Sequence, residues 1–257
     1  MVYDLSEVLK VEADGSVRVV TLNRPDALNA FDEALHAQFP RLWSYIEADT
    51  EVRAVVLTGA GRAFSAGGNL EDFEMFRTNF AARRVTLRQA RRIVDELLNV
   101  HVPVVAAVNG PAVGLGATLA SLCDAVFVAD NTFFADSHVA VALVAGDGGA
   151  VTWPAHIGLL RAKRYLLTGD RVPAADAVQM GLATEAVPPE DVLSTAIAYA
   201  QRLAALPPQA VQETKAILNQ HLRANAVRVL GYGLAAESQS HDTPEYAGVP
   251  EQLHRRK

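Results

Sequence analysis

Two kinds of group in this chain could do chemistry: backbone amides freed by glycine turns, and an imidazole with a carboxylate not far behind it. The amides lie in VVAAVNGPAVGLGATLASLCD, Val104 to Asp124, which reads as a buried strand, a glycine-rich turn and a helix. Gly114 and Gly116 flank Leu115 at the expected helix start, where first-turn N–H groups lack intrahelical acceptors and sit at the positive end of the helix dipole. Amides so placed can hold an oxyanion. The spacing is not the dinucleotide fingerprint, which would need glycine where Leu119 stands. The second group is His138 with Asp147, the aspartate set in Val144 to Gly149 beside another expected helix start. A neutral imidazole can take a proton from water, and a carboxylate within reach can fix its tautomer and stabilise the imidazolium. Structural readings stay open for each: glycines that only permit tight packing, a satisfied histidine, an aspartate capping the helix at Gly148 to Ala150.

The elements that must position these groups follow from hydrophobic pattern. Ala54 to Thr58 is a second apolar strand, followed by GAGRAFSAGGNLEDF, Gly59 to Phe73, where small residues again precede a helical segment. Val8 to Val11 and Val17 to Leu22 predict a hairpin across Ala13-Asp14-Gly15-Ser16. Helical spacing runs through Phe31 to Ala48 and again through Thr78 to Val100, which carries Arg84, Arg88 and Arg91 on one face. Ala125 to Ala129 predicts another buried strand, with a short extended piece at Thr132 to Phe134, and Val227 to Ser240 a helix that includes Gly231 and Gly233. Strand and helix alternate, which argues an α/β fold.

AFSAGGNL together with AVNGPAVGLGATLASLCD resembles the two signature stretches of the enoyl-CoA hydratase/isomerase, or crotonase, superfamily. NRPDALNAF, Asn23 to Phe31, and YLLTGDRVPAADAVQMGLATEAV, Tyr165 to Val187, fall in the same family order. The resemblance implies a spiral of ββα units holding the active site over residues 1–188. It also implies a C-terminal helical region over 189–257 that serves assembly as a homotrimer or a dimer of trimers. It places an oxyanion hole at the N–H groups of Ala66 and Leu115, with Gly67, Gly68, Gly114, Gly116 and Thr118 along the substrate.

Hydratases of this superfamily add water with two glutamates, and here Thr118 and His138 stand in their places. The stretch FFADSHVAVALVAGDGGAVTWPAHIGLLRAKRYLLTG instead resembles the 6-oxocamphor hydrolase branch, the β-diketone hydrolases. That resemblance implies His138 and Asp147 as catalytic dyad, joined by His36 and Glu237 by position. The mechanism expected from it has His138 deprotonate a water that attacks one carbonyl of a 1,3-diketone; the carbon–carbon bond breaks, and the amides of Ala66 and Leu115 hold the enolate.

NRPDALNAF and FSAGGNL resemble the CoA-thioester branches more closely, and Lys215 in AVQETKAIL resembles the tail near a bound nucleotide. An enoyl-CoA hydratase/isomerase or an acyl-CoA thioester hydrolase is therefore the alternative, with CoA entering only as part of the substrate and no other cofactor expected. A third class is a non-catalytic homologue that binds RNA or a partner through Arg84, Arg88 and Arg91.

Composition bounds these readings. Half of the 257 residues are hydrophobic, enough for a large core. A net charge of −6 offers no general attraction to nucleic acid or anionic lipid. The lone Cys123 has no internal disulfide partner, the first residues lack the blocks of a signal peptide, and no apolar run is long enough to span a bilayer. Cytoplasm is the expected compartment. The histidines show no metal-ligand spacing, so no metal is expected. The basic end, His254 to Lys257, reads as a solubilising tail.

Overall fold

The computed structural model describes residues 3–249, so the basic tail lies outside the described residues. In chain order the elements are β1 (Leu9–Asp14), β2 (Val17–Leu22), α1 (Glu33–Ala48), β3 (Ala54–Gly59), α2 (Phe73–Thr78), α3 (Phe80–Asn99), β4 (Val104–Val108), β5 (Ala112–Val113) and α4 (Leu115–Leu122). Then come β6 (Ala125–Ala129), β7 (Phe133–Ala135), α5 (Gly149–Ile157), α6 (Leu159–Thr168), β8 (Val172–Pro173), α7 (Ala174–Met180), β9 (Glu185–Val187), α8 (Val192–Ala204) and α9 (Pro208–Ser240). The main sheet has six strands in the order β1-β2-β3-β4-β6-β9, and a second sheet has three, β5-β7-β8. Apart from the β1–β2 hairpin, all neighbours in the main sheet run parallel.

The central strands are apolar along their whole length because both faces are covered. Along β3, Val55 and Leu57 point into the large core with α1 and α3, while Ala54 and Val56 join Val105, Ala107 and Phe127 under α8. Val192, Ala196 and Ala200 of α8 close that second layer, and α9 packs on α3 and α5. Both long C-terminal helices are thus built into this chain's own core, although Val227 and Tyr232 of α9 remain 87% and 81% exposed. No helix among the described residues is long and apolar enough to cross a membrane.

Local chemistry shifts several boundaries. The hairpin strand β1 runs on to Asp14 because Gly15, at φ 57°, makes the tight turn. Phe31 leaves the expected helix to form a bridge with Gly68, and α1 starts behind Asp32, whose carboxylate accepts from the Leu35 N–H at 2.9 Å. The long helix expected from Thr78 begins instead at Phe80, because the Asn79 side chain caps it by accepting from the Ala82 N–H. The final helix begins nineteen positions before the apolar pattern suggested, at Pro208.

Candidate active site

The loop after β3 and the turn after β4 are stitched together side by side. Ser65 bridges Ala112, with the Ser65 N–H donating to Pro111 O at 3.2 Å and the Val113 N–H to Ser65 O at 2.9 Å. Gly116 is needed for this contact: a Cβ there would lie 2.4 Å from Ser65 O. Gly67, at φ 83°, would drive one to 2.6 Å from Val113 O. These two glycines therefore join the loops and, in contrast to the expectation, do not line the cavity.

The cavity encloses about 110 Å³ and is lined by Gly68, Gly114 and Leu115 on the amide side. Leu115 opens α4, so its N–H has no intrahelical acceptor. The expected partner amide requires correction. The Ala66 N–H donates to Leu28 O at 2.9 Å and is already used. The Gly68 N–H, two residues on, has no acceptor among the described residues and belongs to the same wall.

His138, Asp147, His36 and Glu237 converge on this cavity from widely separated parts of the chain. His138 follows β7 and sits against the amide turn, 3.4 Å from its Cε1 to where a Gly114 Cβ would be. Its Nε2 faces Asp147 Oδ2 at 3.4 Å. Its Nδ1 is held by a residue that the sequence reading missed: Asp136, fully buried, with Oδ1 at 2.6 Å. The ring is thus oriented by Asp136 at Nδ1 as well as by Asp147 at Nε2. The only sequence signal was proximity, since Asp136 precedes His138 by two residues in a turn where its carboxylate also accepts from the His138 N–H at 3.5 Å. Burial works against a charged imidazole, but Asp147 and Asp136 outweigh it and hold the His138 pKa well above its ordinary value.

Thr118 does not face the cavity. It is fully buried and donates to Asp147 Oδ1 at 3.4 Å, which makes it a support for the carboxylate instead of a substrate contact.

His36 is buried on α1, its Nδ1 3.0 Å from Asp32 O, and burial lowers its pKa. Glu237 arrives on α9, whose backbone crosses the loop before Asp147 at Gly233. A Cβ on Gly146 would lie 2.3 Å from Gly233 O, so both glycines let helix and loop touch. Ser240 Oγ adds a second tie by accepting from the Val144 N–H at 3.2 Å. Burial, together with the nearby Asp147 and Asp136 and against the opposing effect of His138, pushes the Glu237 carboxyl up to about 8, and its Oε2 has no hydrogen-bond partner among the described residues. The acid is neutral at pH 7.

Other expectations resolve away from the cavity. Lys215 is buried and ties α9 to the central strands, donating to Val102 O and pairing with Asp124 at 2.8 Å each. Arg84, Arg88 and Arg91 are exposed, and Arg91 pairs with Asp95 at 3.4 Å. Arg83, on the same helix, is instead buried at the cavity wall and paired with Asp242 at 2.9 Å. No cluster of three or more potential metal ligands occurs among the described residues.

An α/β fold in which two stitched loops bring amides to a cavity that His36, His138, Asp147 and Glu237 also line is that of a crotonase-superfamily enzyme. The family model described as Enoyl-CoA hydratase/isomerase matches residues 12–247, and the chain belongs to that family. Among curated proteins it is 34% identical to an (E)-benzylidenesuccinyl-CoA hydratase of Thauera aromatica, over 80% of this chain and 79% of that one. Among solved structures, an enoyl-CoA hydratase/isomerase from Mycobacterium paratuberculosis is 47% identical, covers 98% of this chain and 100% of its own, and superposes with a TM-score of 0.94. A β-diketone hydrolase from the cyanobacterium Anabaena, bound to (S)-3-oxocyclohexyl acetic acid, is 29% identical over 92% of this chain and 94% of its own, at a TM-score of 0.85.

Proposed function

We propose that this enzyme hydrolyses a carbon–carbon bond of a β-diketone. The observation that carries the reading is the convergence of His36, His138, Asp147 and Glu237 on one small cavity beside two open amides. One carbonyl oxygen of the substrate lies against the Gly68 and Leu115 N–H groups, water adds to the other carbonyl carbon, and the bond from that carbon to the carbon lying between the two carbonyls breaks, leaving an enolate held by the amides. The imidazole and carboxyl groups supply the proton transfers. A glutamate pair for adding water to an enoyl double bond is not at hand: Thr118 is turned away to Asp147, and His138 fills the other place.

The second reading, hydration or isomerisation of an enoyl-CoA, rests on the names of the relatives, several of which are hydratases. One experiment separates the two. The enzyme is offered a cyclic 1,3-diketone and a short enoyl-CoA in ¹⁸O-water, and products are identified by mass spectrometry. A labelled, ring-opened keto acid is expected; labelled hydroxyacyl-CoA with untouched diketone would overturn the proposal in favour of the second reading.

A further inference from the structure

The two histidines at the cavity are held in opposite ways. His138 has a carboxylate at each ring nitrogen, Asp136 at 2.6 Å from Nδ1 and Asp147 at 3.4 Å from Nε2. A neutral imidazole carries one N–H and one lone pair, so it would set that lone pair against a carboxylate oxygen; the doubly protonated ring donates to Asp136 and turns its second N–H, not hydrogen-bonded, toward Asp147. His36 has Nδ1 3.0 Å from Asp32 O, an atom that can only accept. The proton is therefore on Nδ1, and Nε2 keeps a free lone pair with no hydrogen-bond partner among the described residues.

We propose, building on the carbon–carbon cleavage reading, that His36 is the base that takes a proton from water, while His138 serves as a charged hydrogen-bond donor kept so by Asp136. The assignment reverses the role that sequence position suggests for His138. Asp136 is the positioning residue. Its Oδ2 lies against the first residue of α5, where a Gly149 Cβ would come within 2.1 Å, so the carboxylate is buried at the positive end of that helix.

The step balances. His36 Nε2 removes one proton from water as the hydroxide oxygen bonds to the attacked carbonyl carbon, whose oxygen takes the π pair and is met by His138 Nε2–H. The 3.4 Å gap to Asp147 is longer than the about 2.7–2.9 Å of a fully formed charge-assisted bond, so that N–H is not consumed by the protein. Collapse restores the carbonyl and breaks the carbon–carbon bond, its electron pair passing into the enolate at Gly68 and Leu115. The proton on His36 then goes to the enolate carbon, and the sum is diketone plus water to ketone plus carboxylic acid.

The charged and titratable groups facing each ring agree with these roles. Those around His138 are Asp136, Asp147 and, across the cavity, Glu237; those around His36 are Asp147 and Asp32, the latter paired with Arg24 at 2.9 Å. Burial dominates at His36 and keeps it neutral, whereas the two carboxylates dominate at His138.

The test does not depend on knowing the substrate. Long-range ¹H–¹⁵N spectra of the full chain labelled with [¹⁵N]histidine report protonation and tautomer of each ring, assigned with His36→Asn and Asp136→Asn variants. A doubly protonated His138 and an Nδ1–H His36 near pH 7 are expected. A neutral His138, or an Nε2–H or charged His36, would overturn the assignment. Kinetics on whichever substrate is turned over provide the second readout. The acidic limb of kcat/KM should fall below 6.5 and stay there in Asp136→Asn, while kcat drops about 100-fold and His36→Asn loses about 100- to 10,000-fold. An acidic limb above 6.5 that Asp136→Asn drags downward would restore His138 as the base. Failure of diketone turnover alone bears on the proposed function and leaves the proton assignment to the spectra.

Discussion

Replacing Glu237 by Gln should make the protein more stable and less active, and the gain should depend on pH. The carboxyl is buried with one oxygen unpartnered, and its pKa stands at about 8 against an ordinary 4.5. Below about pH 4.5 both folded and unfolded chains hold the proton, so the shift costs nothing. Between about pH 4.5 and 8 the unfolded chain has released the proton and the folded one retains it, so stability falls as pH rises. At 1.36 kcal/mol per pH unit, the loss is about 3 kcal/mol at pH 7 and levels off at about 5 kcal/mol above pH 8. Gln has the shape of the neutral acid and cannot ionise. Urea unfolding of parent and variant at pH 5, 7 and 8 should therefore diverge in midpoint, with little difference at pH 5 and a gain of about 3 kcal/mol at pH 7. The alkaline limb of activity near pH 8 should vanish with the carboxyl. A stability difference equal at all three pH values would refute the buried, protonated acid.

Gly149→Ala would push a Cβ to 2.1 Å from Asp136 Oδ2, so a cost of about 1–3 kcal/mol is expected, with turnover falling although residue 149 touches no substrate; urea melts and kinetics check both. Lys215→Met removes a buried ammonium from a partly exposed Asp124 and should destabilise by about 3 kcal/mol, read in the same melts, while activity per folded molecule is kept. Changing Arg84, Arg88 and Arg91 together to Ala should leave stability within about 1 kcal/mol and turnover unaltered, and the parent should not be retained on RNA even at low salt; retention abolished by the triple change would revive the binding role.

Much of the fold was legible because its signals are local. The runs Ala54 to Thr58, Val104 to Val108 and Ala125 to Ala129 are apolar at every position, as strands buried on both faces must be. Boundaries set by single side chains were not legible: the cap at Asn79 and the bridge that draws Phe31 to Gly68 depend on where a side chain turns or a distant loop passes. His36 shows the same limit at the site. Its neighbours allow either helix face, and only the packing of α1 buries it at the cavity.

The sequence by itself determined the family, the two amide loops, and which titratable residues were candidates, since each of these is carried by residue type and spacing. The tertiary structure decided which amide is open and which carboxylate orients which nitrogen. The Ala66 N–H is used by Leu28, far back in the chain, so the open amide is Gly68. Asp136 claims Nδ1 of His138 and leaves Asp147 the other nitrogen. Glu237 becomes a neutral acid because Gly233 and Gly146 let a helix backbone lie directly on a loop, burying the carboxyl near Asp147 and Asp136 with its second oxygen unpartnered among the described residues. Hydrogen-bond ownership and desolvation are properties of what surrounds an atom, and a linear chain does not list its neighbours in space.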